Sequence, residues 1–268
     1  MDSGETGACI SASLPWLVLT PDTGVVPASG GDPGELPINA EFLADGLDHY
    51  GLVQGNILVI HDTPYDVNGV PVCFTKAFSD VAPDYWANEF IHVTAGARIT
   101  TGCGGGNFCP GDLMTRSVMA RWLIKSMFGA DYETQPCVGI FADVFCETTP
   151  NADYIEALYN EGITGGCGLD PLIYCPDDPV TREQMAVFLI GASEGVDYVP
   201  PPCTGIFADV PCPTEWSVDW VEDLFNRGIT GGCATGPPRY CPDSPTTRGE
   251  MAVFETATFG LPRCDSGD

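Results

Sequence analysis

One segment is written three times between residues 78 and 248, which restricts the chain to architectures in which a supersecondary unit stacks on copies of itself. The copies open at Phe78-Ser-Asp-Val81, Phe141-Ala-Asp-Val144 and Phe207-Ala-Asp-Val210. They turn at Ile99-Thr-Thr-Gly-Cys103, Ile163-Thr-Gly-Gly-Cys167 and Ile229-Thr-Gly-Gly-Cys233, and close at Thr115-Arg116, Thr181-Arg182 and Thr247-Arg248. Successive arginines stand 66 residues apart. Each copy reads as helix, loop, helix. In the opening helices Ile155, Leu158 and Tyr159, then Val221, Leu224 and Phe225, give the i, i+3, i+4 stripe of an amphipathic helix, and Ile91, Thr94 and Ala95 give a weaker one. Thr181 with Gln184 and Thr247 with Glu250 have the spacing of a capping box at the start of the closing helices. Inward stripes follow at Met185, Phe188 and Leu189, and at Met251, Phe254 and Glu255. The carboxylate of Glu255 in an apolar place predicts a wet face on a terminal copy. One copy has too little apolar surface to fold alone, so the three are expected to share one core.

Residues 1–75 differ in kind. Short runs at Trp16–Leu19, Leu36–Phe42, Asn56–Ile60 and Val70–Thr75, separated by Gly, Pro and Asp clusters, read as strands, and helical periodicity is absent.

The net charge is −27, and all ten basic residues lie after residue 75. Such a field repels nucleic acid and anionic membrane at long range, so neither is an expected partner. It also keeps an exposed protein soluble, and a saline habitat would select the same composition. No apolar run of 18 residues appears, and Met1-Asp-Ser-Gly-Glu5 lacks the basic start and apolar core of a signal peptide. The start therefore reads as that of a fragment with further domains upstream.

Ten of the thirteen cysteines fall into pairs that the repeats reproduce, which argues for an oxidising, extracellular compartment. Cys103/Cys109, Cys167/Cys175 and Cys233/Cys241 bracket the loop before each Thr-Arg. Cys137/Cys146 and Cys203/Cys212 bracket the Phe-x-Asp-Val of copies two and three, and copy one has Pro83 where the second member would stand. Local bridges are the economical reading. Zinc competes, but the spacings miss the usual C-x2–4-C and no His lies near any pair. His49, His61 and His92 are scattered singly and build no catalytic arrangement, so no turnover, metal or cofactor is expected.

With so few cations, three at one repeat position need a reason. Arg116, Arg182 and Arg248 sit in the first turn of a helix, where a cation opposes the helix dipole. One reason is an ion pair, with Asp80, Asp143 and Asp209 of Phe-x-Asp-Val or with Asp112, Asp178 and Asp243 before the helix. The other is a fork of donors beside free helix N–H groups, suited to carboxylate or phosphate on a polymer.

Phe-x-Asp-Val, a helix, Gly-Ile-Thr-x-Gly, a short loop, aromatic-x-Pro, Thr-Arg and Met-Ala-x-Phe together resemble the S-layer homology domain, over residues 74–261. The resemblance implies helical units about a pseudo-threefold axis, with grooves between neighbours that hold cell-wall glycan. It implies repeats at 76–136, 137–202 and 203–264, with a tail at 265–268. The family's Thr-Arg-Ala-Glu groove motif stands here as Thr115-Arg-Ser-Val118, Thr181-Arg-Glu-Gln184 and Thr247-Arg-Gly-Glu250, matching at Thr and Arg throughout and at Glu only in Glu250. A family Trp carries over to Trp86; copy two has none, and Trp216 and Trp220 are out of clear register. Gly102, Gly166 and Gly232 border the groove as further candidates, with Asp80, Asp143 and Asp209 orienting the arginines. A threefold arrangement returns Cys264 near Cys73, making Cys73–Cys264 the expected sixth bridge, with Cys9–Cys73 as the alternative.

Pro15-Trp-Leu-Val-Leu-Thr-Pro-Asp-Thr-Gly-Val-Val26, with Gly55-Asn-Ile-Leu-Val-Ile60 and Val70-Pro-Val-Cys73, resembles bacterial immunoglobulin-like modules of the Trp-Leu-x-x-x-Pro-x-x-Gly type. Strands that such modules carry before the Trp are missing here. The expected fold is therefore a truncated all-β sandwich-like module over 1–75, followed by an all-α, pseudo-threefold helical bundle. The expected function is non-catalytic anchoring at the cell surface or wall to secondary cell-wall polysaccharide or peptidoglycan. The rivals are a spacer with glycan binding lost and the C-terminal fragment of a secreted enzyme.

Overall fold

The computed structural model describes residues 7–11, 17–20, 23–25, 39–43, 47, 49–61 and 68–263. The chain divides into two compact units, Met1–Ala77 with Cys264–Asp268, and Phe78–Arg263.

In the first unit, apolar runs between turn-forming clusters become β1 (Gly7–Ser11), β2 (Leu17–Thr20), β3 (Thr23–Val25), β4 (Asn39–Phe42), β5 (Gly51–His61) and β6 (Asn68–Lys76). Four of them form an antiparallel sheet in the order β3-β1-β5-β6, and β2 pairs separately with β4, Leu17 opposite Phe42. The long β5–β6 ladder runs from Gly51 opposite Lys76 to Val59 opposite Asn68. Lys76 ties its end, donating from Nζ to the Leu47 carbonyl at 2.8 Å and lying over the Tyr50 ring. Trp16 of the expected Trp-Leu motif lies outside the described residues.

The second unit carries α1 (Asn88–Gly96), α2 (Arg116–Phe128), α3 (Ala152–Asn160), α4 (Arg182–Glu194), α5 (Val218–Asn226) and α6 (Arg248–Phe259). It is not all-α as expected. Two-residue strands β7 (Gly168–Leu169) and β8 (Leu172–Ile173), then β9 (Ala234–Thr235) and β10 (Pro238–Arg239), form small hairpins, and Gly104 bridges Asn107 in the first copy. Each hairpin sits inside a central cysteine pair, where a closed loop this short has little choice but to fold back on itself.

All five local disulfides form as the spacing predicts. Cys103 joins Cys109, Cys167 joins Cys175 and Cys233 joins Cys241 around the central loops. Cys137 joins Cys146, and Cys203 joins Cys212, around the entries to copies two and three. Cys73 is also disulfide-bonded, whereas Cys264 lies outside the described residues.

The closing helices start as expected. The hydroxyls of Thr115, Thr181 and Thr247 accept from the backbone N–H three residues on, and Gln184 and Glu250 complete capping boxes. Helix pairing then runs between copies: α3 packs on α2, α5 on α4, and α1 on α6. The pattern closes on itself because each opening helix of nine residues is too short to bury its stripe alone. At the centre three strand-like residues form a ring of hydrogen bonds: Met114 N–H to the Thr246 carbonyl (2.8 Å), Thr246 N–H to Val180 (2.8 Å) and Val180 N–H to Met114 (2.9 Å).

Two further features depart from the sequence reading. Glu255 is not on a wet face: it is wholly buried and accepts from Ser126 Oγ. Glu156 and Glu222, which attract no notice in so acidic a chain, are 3 % and 2 % exposed. Glu156 accepts from the N–H groups of Val138, Gly139 and Ile140, and Glu222 from those of Thr204, Gly205 and Ile206, fixing the chain as it enters copies two and three. In copy one the corresponding position is His92, whose Nε2 accepts from Phe78 N–H at 3.3 Å.

Candidate functional site

Arg116, Arg182 and Arg248 are buried, at 5, 6 and 7 % exposure, and each reaches into another copy. Nε donates to the carbonyl of Tyr174 (2.8 Å), Tyr240 (2.9 Å) and Phe108 (3.0 Å) respectively. Each guanidinium lies between two aromatic rings: Arg116 between Tyr174 and Phe188, Arg182 between Tyr240 and Phe254, Arg248 between Phe108 and Trp122. Tyr174 and Tyr240 return a hydroxyl bond to the carbonyls of Arg116 and Arg182. Stacking and a carbonyl acceptor therefore hold a cation where the helix dipole would not.

Of the two reasons the sequence offers for these arginines, the ion pair with Asp does not form among the described residues. Asp80 accepts from the N–H groups of Phe108 and Cys109, Asp143 from Tyr174 and Cys175, and Asp209 from Tyr240 and Cys241, all within 2.9 Å. These carboxylates clamp the exit of each loop, where Cys109, Cys175 and Cys241 adopt positive φ. Burial works to raise the Asp209 carboxyl, but the N–H groups of Tyr240 and Cys241, its own backbone N–H and the Arg239 guanidinium at 3.5 Å together hold the group below its ordinary value. Each Asp also lies within 4.8 Å of the central cysteine sulfurs, but these are bonded to one another and offer no thiolate to a metal.

The entry bridges stand apart from this cluster. Cys203 is half-buried and tied to α5, its N–H donating to Asp219 Oδ1 at 2.8 Å. Cys212 is exposed and lines no part of the Arg116 cavity described below. Its sulfur is spent on Cys203, so Cys212 closes the loop around Phe207-Ala-Asp-Val210 and brings nothing to a ligand.

The glycines serve the central loops. Gly102, Gly166 and Gly232 have φ of +87°, +88° and +79°, and a Cβ there would fall 2.2–2.5 Å from the carbonyl oxygens of Asn107, Ile173 and Arg239. The close approach is used: the N–H of the next residue, Cys103, Cys167 or Cys233, donates to that oxygen. The Thr hydroxyls are occupied as helix caps.

The groove at Arg116 keeps the most for a ligand. Its Nη2 is buried without a partner, and the side chain lines a cavity of about 350 Å³ with Thr164, Gly165, Gly166, Gln184 and Trp216. Burial lowers the Arg116 guanidinium from its ordinary value, with Tyr174, Asp178 and Asp143 acting against that. Trp216 is 60 % exposed and Trp86 59 %. Both directly precede the N-cap of an opening helix, Ser217 in one case and Ala87 in the other, and Pro150 stands at that place in copy two. Trp216 is thus the counterpart of Trp86. One extra residue between Phe207 and the helix hides the register when it is counted from the Asp, whereas counting back from the helix start would have shown it. Trp220, inside α5, is not the counterpart.

The two other grooves differ. Arg182 is met by Glu250 Oε1 at 3.6 Å and Thr230 Oγ1 at 3.5 Å. Arg248 leaves Nη2 buried without a partner, as Arg116 does.

Residues 77–118 match the S-layer homology domain. Domains of this kind are, in general, non-catalytic modules that anchor proteins to cell-envelope polymers. The matched segment runs from the first Phe-x-Asp-Val to the first turn of α2 and takes in Trp86, Cys103, Cys109 and Arg116. No curated protein matches the chain. Among the described residues no helix is long and apolar enough to cross a membrane.

Proposed function

We propose that this chain attaches non-covalently to cell-envelope glycan, secondary cell-wall polysaccharide or peptidoglycan, through grooves between three S-layer homology units. The units take in residues 76–136, 137–202 and 203–264, about a pseudo-threefold axis, and the cyclic helix pairing with the central ring of hydrogen bonds supports that arrangement. The single observation that carries the function is the Arg116 groove: a stacked, buried guanidinium with unsatisfied donor capacity, beside a glycine-lined wall and an exposed indole. An aromatic face stacks on the apolar face of a sugar ring, and a guanidinium recognises a carboxylate or phosphate substituent. The five local disulfides of the repeats suit secretion and residence at the cell surface. The first unit is proposed as an immunoglobulin-like module, which the antiparallel order β3-β1-β5-β6 supports.

The test is cosedimentation of the oxidised protein with purified cell walls. Trp216→Ala, at an exposed position, is expected to weaken retention at least tenfold without moving the melting temperature, and Arg116→Ala to weaken it further. Retention unchanged in both variants would remove this groove from the site. One observation favours the rival reading of a spacer: at Arg182 the charge is already answered by Glu250, so that groove has the least to offer an anion.

A further inference from the structure

Arg121 has no hydrogen bond or ion pair among the described residues, and it lies on α2 one turn after the helix start. The arginine of each copy faces the closing helix of another: Arg116 meets Phe188 of α4, Arg182 meets Phe254 of α6, and Arg248 meets Trp122 of α2. Residues 66 apart on these helices are therefore equivalent, so Arg121 stands in the Arg248 groove where Val187 lines the Arg116 groove and Val253 belongs in the third. At the place of the exposed indole, the Arg248 groove has Pro150. At the place of Gln184 and Glu250 it has Val118, so no carboxylate answers Arg248 from this helix.

The result is a concentration of positive charge in a chain of net charge −27. Arg121 repels both Arg248 and Lys125, and Arg98 adds to the field at Lys125. Burial is the main cause that lowers the Arg248 guanidinium, Asp112 and Asp80 oppose it, and Arg121 reinforces it. Asp80 is engaged with the N–H groups of Phe108 and Cys109, and Asp131 pairs with Arg98 at 2.9 Å. Arg248 itself is more than nine-tenths buried with Nη2 unpartnered. Asp112 and Asp80 act on Arg248 only at a distance, and among the described residues neither Arg121 nor Arg248 has a carboxylate within ion-pair reach, which leaves donor capacity for an anion from outside.

We propose that the Arg248 groove is a site for an oxyanion of the phosphate class, with Arg121 as its second guanidinium. Two cations, neither paired with a carboxylate, match a group carrying up to two negative charges, as a phosphate monoester does near neutral pH, better than a single carboxylate. The three grooves are then unequal: an exposed indole with an unanswered guanidinium at Arg116, Glu250 answering the charge at Arg182, and a second guanidinium with Pro150 in place of the indole at Arg248. The inference rests on the groove reading above for its place on a polymer, but not for the anion itself.

The experiment is a titration of the full oxidised chain with inorganic phosphate and, separately, with acetate, at constant ionic strength, following the Nε–Hε signals of the arginines by NMR. Saturable shifts at Arg121 and Arg248 are expected with phosphate, at least tenfold weaker with acetate. Arg121→Gln is expected to weaken phosphate binding at least tenfold, while Arg263→Gln removes the same charge beyond the end of α6 without effect. Arg121→Lys keeps the charge without the fork and is expected to fall between, which preserves the test if the Gln variant misfolds. Equal affinity for phosphate and acetate, or equal affinity in wild type and the Arg121 variants, overturns the proposal. Wall cosedimentation of the same proteins reports on the glycan reading alone: its failure with phosphate binding intact sinks that reading and leaves this one standing.

Discussion

Glu255 stands where the preceding copies have Leu189 and Leu123, and burial pushes its carboxyl up to about 8, only partly countered by the Ser126 hydroxyl. Between the ordinary value of 4.5 and about 8 the folded chain holds a proton there that the unfolded chain releases. Stability from this group is therefore complete below 4.5 and is lost as pH rises through 8, with a slope of up to about 1.4 kcal/mol per pH unit. Glu255→Leu is expected to raise stability at pH 8 and to flatten this slope. Denaturant midpoints of both proteins from pH 5 to 9 measure it, and parallel curves would show that the buried carboxyl is not held neutral. The Glu in an apolar stripe was legible in the sequence, but not its burial, because the covering residue, Ser126, comes from 129 positions away. The arginines tell the same story. Their repetition flagged them at once, yet their partners are carbonyls and ring faces in another copy, which no local spacing encodes.

The closing helices were the most legible elements, since Thr and Gln or Glu three residues apart cap a helix by contacts within one turn. The hairpins were not, because Gly168–Leu169 and Leu172–Ile173 are too short to show alternation. They exist because three constraints coincide on one loop: the Cys167–Cys175 bridge, the Asp143 clamp, and the Gly166 conformation that only glycine tolerates. Replacing Cys167 and Cys175 together by Ser is expected to lower stability by about 2–3 kcal/mol, the chain-entropy value for so short a loop. Cys167 itself lines the Arg116 groove beside Gly165 and Gly166, so wall retention should fall alongside. A double variant as stable as wild type to guanidinium would mean that the Asp clamp alone holds the loop. Replacing Cys203 and Cys212 together, by contrast, is expected to lower stability while leaving wall retention of the folded protein unchanged, since Cys212 lies outside the cavity.

Taken as one body, the second unit has no free-standing copy. Each opening helix rests on a closing helix of another copy, α1 on α6 included, and the ring through Met114, Val180 and Thr246 breaks if any one is lost. A chain ending at residue 202 is therefore expected to lose cooperative unfolding of the two copies it retains, read as a broad calorimetric transition where residues 1–268 give a sharp one for this unit. A sharp transition in the shortened chain would show that two copies suffice. The repeat, the cysteine pairs, the capped helices and the strand-rich first 75 residues all follow from local order, because turns, caps and short bridges are made between residues a few positions apart. Which copy faces which, which groove Trp216 lines, that Asp80, Asp143 and Asp209 hold loops while the arginines hold neighbours, and that the three grooves differ were decided only when distant segments met. Stacking, burial and unanswered charge are properties of that meeting, and a one-dimensional pattern does not contain them.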